Sequence, residues 1–114
     1  IPSPEEGSKE EFTNSGKLQL FAESYNKDIL KNCDNLTVAP WGDVVLCEDS
    51  SNAFIRGITP KGNKYDIGRN IYSDSELAGS CFSPSGKYMF INIQSDGLTL
   101  AITGPWQDLN QDQI

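Results

Sequence analysis

Sixteen Asp and Glu side chains and no histidine decide which chemistry this 114-residue chain can carry. Ser-His-Asp triads, His-ligated zinc and imidazole proton shuttles are excluded. What remains is carboxylate, cysteine or arginine chemistry, or a bound metal. Glu48 closes the apolar run Val44 to Cys47, where a strand hands over to a loop, and Asn92 stands 44 residues further on in a corresponding place. Such oxygens suit a hard cation, which takes about six to eight of them. Asp34 and Glu48 are therefore candidate metal ligands, with Glu76 a third. Asn35 and Asn92 are candidate substrate contacts. Arg56 joins them, because a guanidinium donates to phosphate in a planar fork. It stands within an apolar strand, so pairing with a carboxylate is the alternative. For Asp34 and Asn35 the alternative is turn capping; for Glu48 it is an ordinary loop carboxylate. Asp49 follows Glu48, points the other way by alternation and reads as a loop residue.

The three cysteines, Cys33, Cys47 and Cys81, show no CxxC spacing, so a zinc ribbon or a thioredoxin-like site is unsupported. They read as small buried thiols, with one bridge left open. Trp41 and Trp106 read as packing residues.

The elements that must position these side chains are strands and turns. Short apolar or β-branched runs occur at Leu36 to Ala39, Val44 to Cys47, Phe54 to Ile58, Lys64 to Ile67, Tyr88 to Ile93 and Leu98 to Ile102. Lys17 to Phe21 alternates as a strand does until Phe21. Breakers bound the runs: Pro40-Trp41-Gly42-Asp43, Pro60-Lys61-Gly62-Asn63, Pro84-Ser85-Gly86-Lys87 and Ser95-Asp96-Gly97. Only Tyr25 to Asn32 has a helical look. The chain is predicted to be all-β.

An internal echo sharpens that reading. Pro40-Trp41-Gly42-Asp43 with Val44 to Cys47 lines up, 44 residues on, with Pro84-Ser85-Gly86-Lys87 and Tyr88 to Ile91. The same offset carries Val38 onto Phe82 and Ile58-Thr59 onto Ile102-Thr103. Phe12 to Lys17 echoes Ile58 to Asn63, two residues out of phase. Asp34-Asn35 becomes Ala78-Gly79, so the Asp-Asn pair is not a requirement of the repeat. Four short strands in about 40 to 50 residues indicate a propeller blade. An immunoglobulin-like sandwich also has many short strands but does not predict the echo. The expectation is a β-propeller of about two four-stranded blades over 13–106, with an acidic arm at 1–12 and a polar tail at 107–114. Leading strand Lys17 to Phe21 is a candidate for the fourth strand that the last blade lacks. Since propellers close with about four to eight blades, two imply either a fragment of a longer chain or a homo-oligomer, three copies closing a six-bladed ring.

Net charge is −7, which argues against nucleic acid as a partner. No run approaches the ~18 apolar residues of a membrane span. Ile1 rather than Met at the start reads as a processed chain or a fragment.

The stretch from Asp34 to Asp49, with Asp34-Asn35-Leu36, Pro40-Trp41-Gly42-Asp43 and Cys47-Glu48-Asp49, resembles the PhoX-type alkaline phosphatase family. So do Glu76 to Gly86, Phe90 to Gln94 and Thr99 to Trp106, and the likeness runs in order from about Phe12 to Trp106. The resemblance implies a six-bladed propeller phosphomonoesterase exported by the twin-arginine route, periplasmic or secreted. It also implies a calcium and iron centre in the axial channel and a phosphate monoester or other small anion as ligand. Only the closing third of such an enzyme has a counterpart here; the family's iron-binding cysteine does not. The expected role is part of a metal-dependent phosphomonoesterase, inactive as a single chain; the alternative is a non-catalytic, propeller-derived assembly or ligand-binding module.

Overall fold

The computed structural model describes residues 6–9 and 13–109. Most of the arm expected at 1–12, and the tail beyond residue 109, lie outside the described residues. Seven strands follow one another: β1 (Cys33–Val38), β2 (Val44–Glu48), β3 (Phe54–Ile58), β4 (Lys64–Arg69), β5 (Leu77–Phe82), β6 (Tyr88–Ile93) and β7 (Leu98–Thr103), then a single 3₁₀ turn, Trp106–Leu109. They form two antiparallel meanders, β1-β2-β3-β4 and β5-β6-β7. The apolar runs from Leu36 onward become strands, except that Ala39 stands one residue past the end of β1. Two expectations fail. Lys17 to Phe21 forms no strand, and Leu18 and Leu20 stand in solvent; alternation gives a segment two faces but no neighbour to bond. Tyr25 to Asn32 contains one turn rather than a helix. Ile29 and Leu30 both donate to the Asn26 carbonyl, and the Asn26 side chain accepts from Asp28 N at 2.9 Å.

The Pro-x-Gly turns close the first hairpin of each sheet. Gly42 and Gly86 adopt φ of 98° and 72°, left-handed values that glycine reaches without steric cost. Yet the two hairpins differ by one residue. In the first, Ala39 N bonds the Asp43 carbonyl, four residues on; in the second, Ser83 N bonds the Tyr88 carbonyl, five residues on. Val38 consequently pairs with Val44 and Cys33 with Glu48, whereas Phe82 pairs with Met89 and Leu77 with Ile93. The third strands return to the 44-residue offset, since Val44 pairs with Ile58 and Met89 with Ile102. β6 alone is slipped, and a one-residue slip exchanges the faces of a strand.

That slip sets how the sheets stack. The first sheet presents Val45, Cys47 and Ile55 to the core, and the second presents Leu77, Met89, Ile91 and Ile93. By pairing, Met89 and Ile91 correspond to Val44 and Leu46, which lie on the opposite face of β2 from Val45 and Cys47. Unlike faces of equivalent sheets therefore meet, as in successive propeller blades, and the two sheets do not close into a ring. Full burial of Met89 and Ile91 stabilises this interface by about 1.5–3 kcal/mol for each side chain. One end is sealed by aromatic rings: Trp41 stacks on Trp106 with centroids 5.7 Å apart, and Phe82 meets both edge-on.

Candidate metal site at the strand ends

Glu48 and Asp49 are neighbours with opposite surroundings. Glu48, the last residue of β2, points to the outer face of the first sheet and is 1% exposed. Arg56 lies on the same face of adjacent β3, because it pairs with Leu46. Its Nε donates to Glu48 Oε1 at 2.7 Å, and its Nη1 donates to Asp66 Oδ1 on β4 at 2.5 Å. Glu48 Oε1 also accepts from Lys31 N at 3.1 Å, and Oε2 from Phe54 N at 3.0 Å. The Arg56 guanidinium carbon sits 3.9 Å above the Phe54 ring. Burial works to lower the Arg56 pKa, but its bonds to Glu48 and Asp66 outweigh that and raise it. Both Glu48 oxygens are bonded, and Arg56, 2% exposed, spends Nε on Glu48 and Nη1 on Asp66. These two predicted site residues are partners of each other.

Asp49 leaves β2 on the other side. Its backbone N donates to the Asn32 carbonyl at 2.9 Å, which fixes the strand end. Asp34 enters at the start of β1 and Glu76 immediately precedes β5. Packing of β5 against β1 and β2 brings Asp34, Asp49 and Glu76 together, with carboxylate oxygens within 4.8 Å of one another. Asp34 and Asp49 are exposed and Glu76 is half-buried. Loss of solvent contact, the charges of Asp49 and Asp34, and a hydrogen bond with Asp49 push the Glu76 carboxyl above its ordinary range. Three carboxylates this close repel one another unless a proton or a cation lies among them.

Two of the three predicted metal ligands, Asp34 and Glu76, thus share one cluster. Glu48 stands in the Arg56 network instead, and Asp49, read as a loop residue, takes the third place. Its detectable signal was position: it directly follows a strand whose end abuts the next sheet. The predicted substrate contacts separate. Asn35 Oδ1 accepts from Ser80 N at 3.2 Å and ties β1 to β5. Asn92 Oδ1 accepts from Thr99 Oγ1 at 2.7 Å on β7. The equivalence of Asn92 with Glu48 fails as well, because the slip of β6 puts Ile93 in the place of Glu48.

The cysteines are all free. Burial, then the Glu48 charge, raises the Cys33 thiol to about 11, and burial raises Cys47. Both are neutral thiols at pH 7 and poor metal ligands in that form. Sequence reasoning also passed over Asp43, in the first Pro-x-Gly turn. It is fully buried, and its Oδ2 accepts from Trp41 Nε1 at 2.8 Å and from the Tyr65 hydroxyl at 2.5 Å. Burial and this bond raise the Tyr65 phenol well above its ordinary pKa. The arrangement clamps the turn to β4 and holds Trp41 in the aromatic seal.

The fold and the cluster define a class: an open piece of β-propeller with an acidic group at the ends of its strands. Within that class, the family model described as alkaline phosphatase PhoX matches residues 5–97, and the chain belongs to that family. Neither curated proteins nor solved structures give a match to the chain.

Proposed function

We propose that this chain forms part of a PhoX-like, metal-dependent phosphomonoesterase and that Asp34, Asp49 and Glu76 contribute oxygen ligands to its calcium. The observation that carries the reading is the convergence of three carboxylates from separate elements, with the Glu76 carboxyl pushed above its ordinary range by lost solvent contact and by its neighbours. An all-oxygen set is the donor chemistry calcium takes. When bound, the cation neutralises charge on a phosphate ester and stabilises the transition state of its displacement. Within the chain, Asp34 and Asp49 would offer exposed carboxylates and Glu76 a half-buried one, and a cation among them would relieve the repulsion that raises Glu76. The proposal names calcium because the cluster is made of carboxylate oxygens and none of the three cysteines stands in it.

The chain alone is proposed to bind calcium without turning over substrate. Arg56 is committed to Glu48 and Asp66, and Asn35 and Asn92 are committed within the two sheets. The phosphate contacts then come from other blades, on a longer chain or on further copies. Calorimetric titration with calcium, alongside hydrolysis of p-nitrophenyl phosphate, tests this. Stoichiometric calcium binding without hydrolysis is expected. Turnover by the chain alone, or no calcium binding at millimolar concentration, contradicts the reading.

A further inference from the structure

The two sheets are unequal. β4 completes the first, pairing with β3 from Ile58–Lys64 to Phe54–Arg69. Among the described residues β7 has one bonded neighbour, β6, so its outer edge carries unpaired backbone groups. Beside that edge the sheets diverge around an apolar cavity of about 290 Å³, lined by Ile55 and Ile67 on one side and Leu100 and Ile102 on the other. Ile71 and Tyr72 stand at its rim, 83% and 70% exposed. A free strand edge next to an apolar slot is the geometry that accepts an extended segment by β-augmentation.

The chain also contains a strand-like segment without a sheet. Phe12 to Lys17 echoes Ile58 to Asn63, the turn into β4, so Lys17 to Phe21 stand where Asn63 to Ile67 stand in the first sheet. By that echo Lys17 to Phe21 has the pattern of a fourth strand, yet Leu18 is 102% exposed and Leu20 75%. The chain that follows the segment is tethered to the first sheet: the Phe21 carbonyl lies beside Gly62 in the β3–β4 turn, and Lys31 N and the Asn32 carbonyl are bonded to Glu48 and Asp49 N.

We propose that the edge of β7 takes Lys17 to Phe21 of a second copy of this chain, paired antiparallel, with Leu18 and Leu20 entering the slot between Ile67 and Leu100. The five residues fit within the six of β7, and two leucines at period 2 supply apolar side chains to the face that bears Leu100 and Ile102. The exchange supplies each second sheet with its fourth strand.

Native mass spectrometry and sedimentation of the 114-residue chain test this, with Leu18→Asp/Leu20→Asp as the comparison. Both leucines are in solvent within their own chain, so the variant keeps the fold. The wild type is expected to run as two or more 12.5 kDa chains at tens of micromolar, and the variant as one. A synthetic peptide of residues 16–22 is expected to bind the variant one to one, and at least tenfold more weakly when Leu100→Asp is added. A monomeric wild type, an assembly that persists in the variant, or peptide binding indifferent to Leu100→Asp would overturn the proposal.

Discussion

Glu48 and Asp49 are adjacent in the chain and meet opposite fates. Glu48 is sealed under the first sheet, with both oxygens bonded and Arg56 against it. Asp49, one peptide further, is exposed beside Asp34 and Glu76. Neutralisation separates the two regions. The buried carboxylate has a cation and backbone donors, so its charge holds the sheet together. The exposed group has three carboxylates and a raised Glu76, so its charge is available to an ion from solution. This contrast is the ground for proposing the calcium site at the carboxylates the fold leaves uncompensated.

The largest effect that tests this contrast comes from the buried side. Arg56→Met leaves Glu48 buried without its cation and is expected to destabilise the fold by about 3–5 kcal/mol. Urea unfolding measures it, with Glu76→Gln as the partner experiment, expected to hold or slightly raise stability in calcium-free buffer. Equal losses in both variants would erase the distinction.

A smaller effect comes from pH. The folded Glu76 carboxyl lies above its unfolded value, so the native state binds its proton more tightly. The stabilisation it gives is fully present below the unfolded pKa, near the ordinary glutamate value, and is lost as pH rises through the raised folded value. Thermal unfolding in chelator is therefore expected to show a Tm component that falls with pH above the ordinary glutamate range. Glu76→Gln should remove that component, and calcium should reverse it near neutrality. A Glu76→Gln profile parallel to the wild type would count against the cluster.

Much of the fold was legible because its signals are local. Apolar runs between Pro-x-Gly turns mark strands, and the echo marks two blades. The expectation that Arg56 would pair with a carboxylate needed only its place in an apolar strand. The slip of β6 was not legible, because both turns share the Pro-x-Gly pattern while their closing bonds span four residues in one and five in the other. That single residue moved Asn92 out of correspondence with Glu48. Asp34 and Glu76 were found by type and place, but Asp49 depends on β5 packing against β2, a contact between residues far apart in the chain. Alternation correctly turned it away from Glu48; it did not say what waited on the other side.

The most direct test of the central claim compares two exposed aspartates. Asp66 belongs to the Arg56 network and Asp49 to the cluster. Calcium affinity should be measured by titration calorimetry for the wild type, Asp49→Asn and Asp66→Asn. A calcium site at the cluster predicts at least a tenfold loss in Asp49→Asn, with Asp66→Asn unchanged. Equal affinities in all three, or a loss confined to Asp66→Asn, would contradict it.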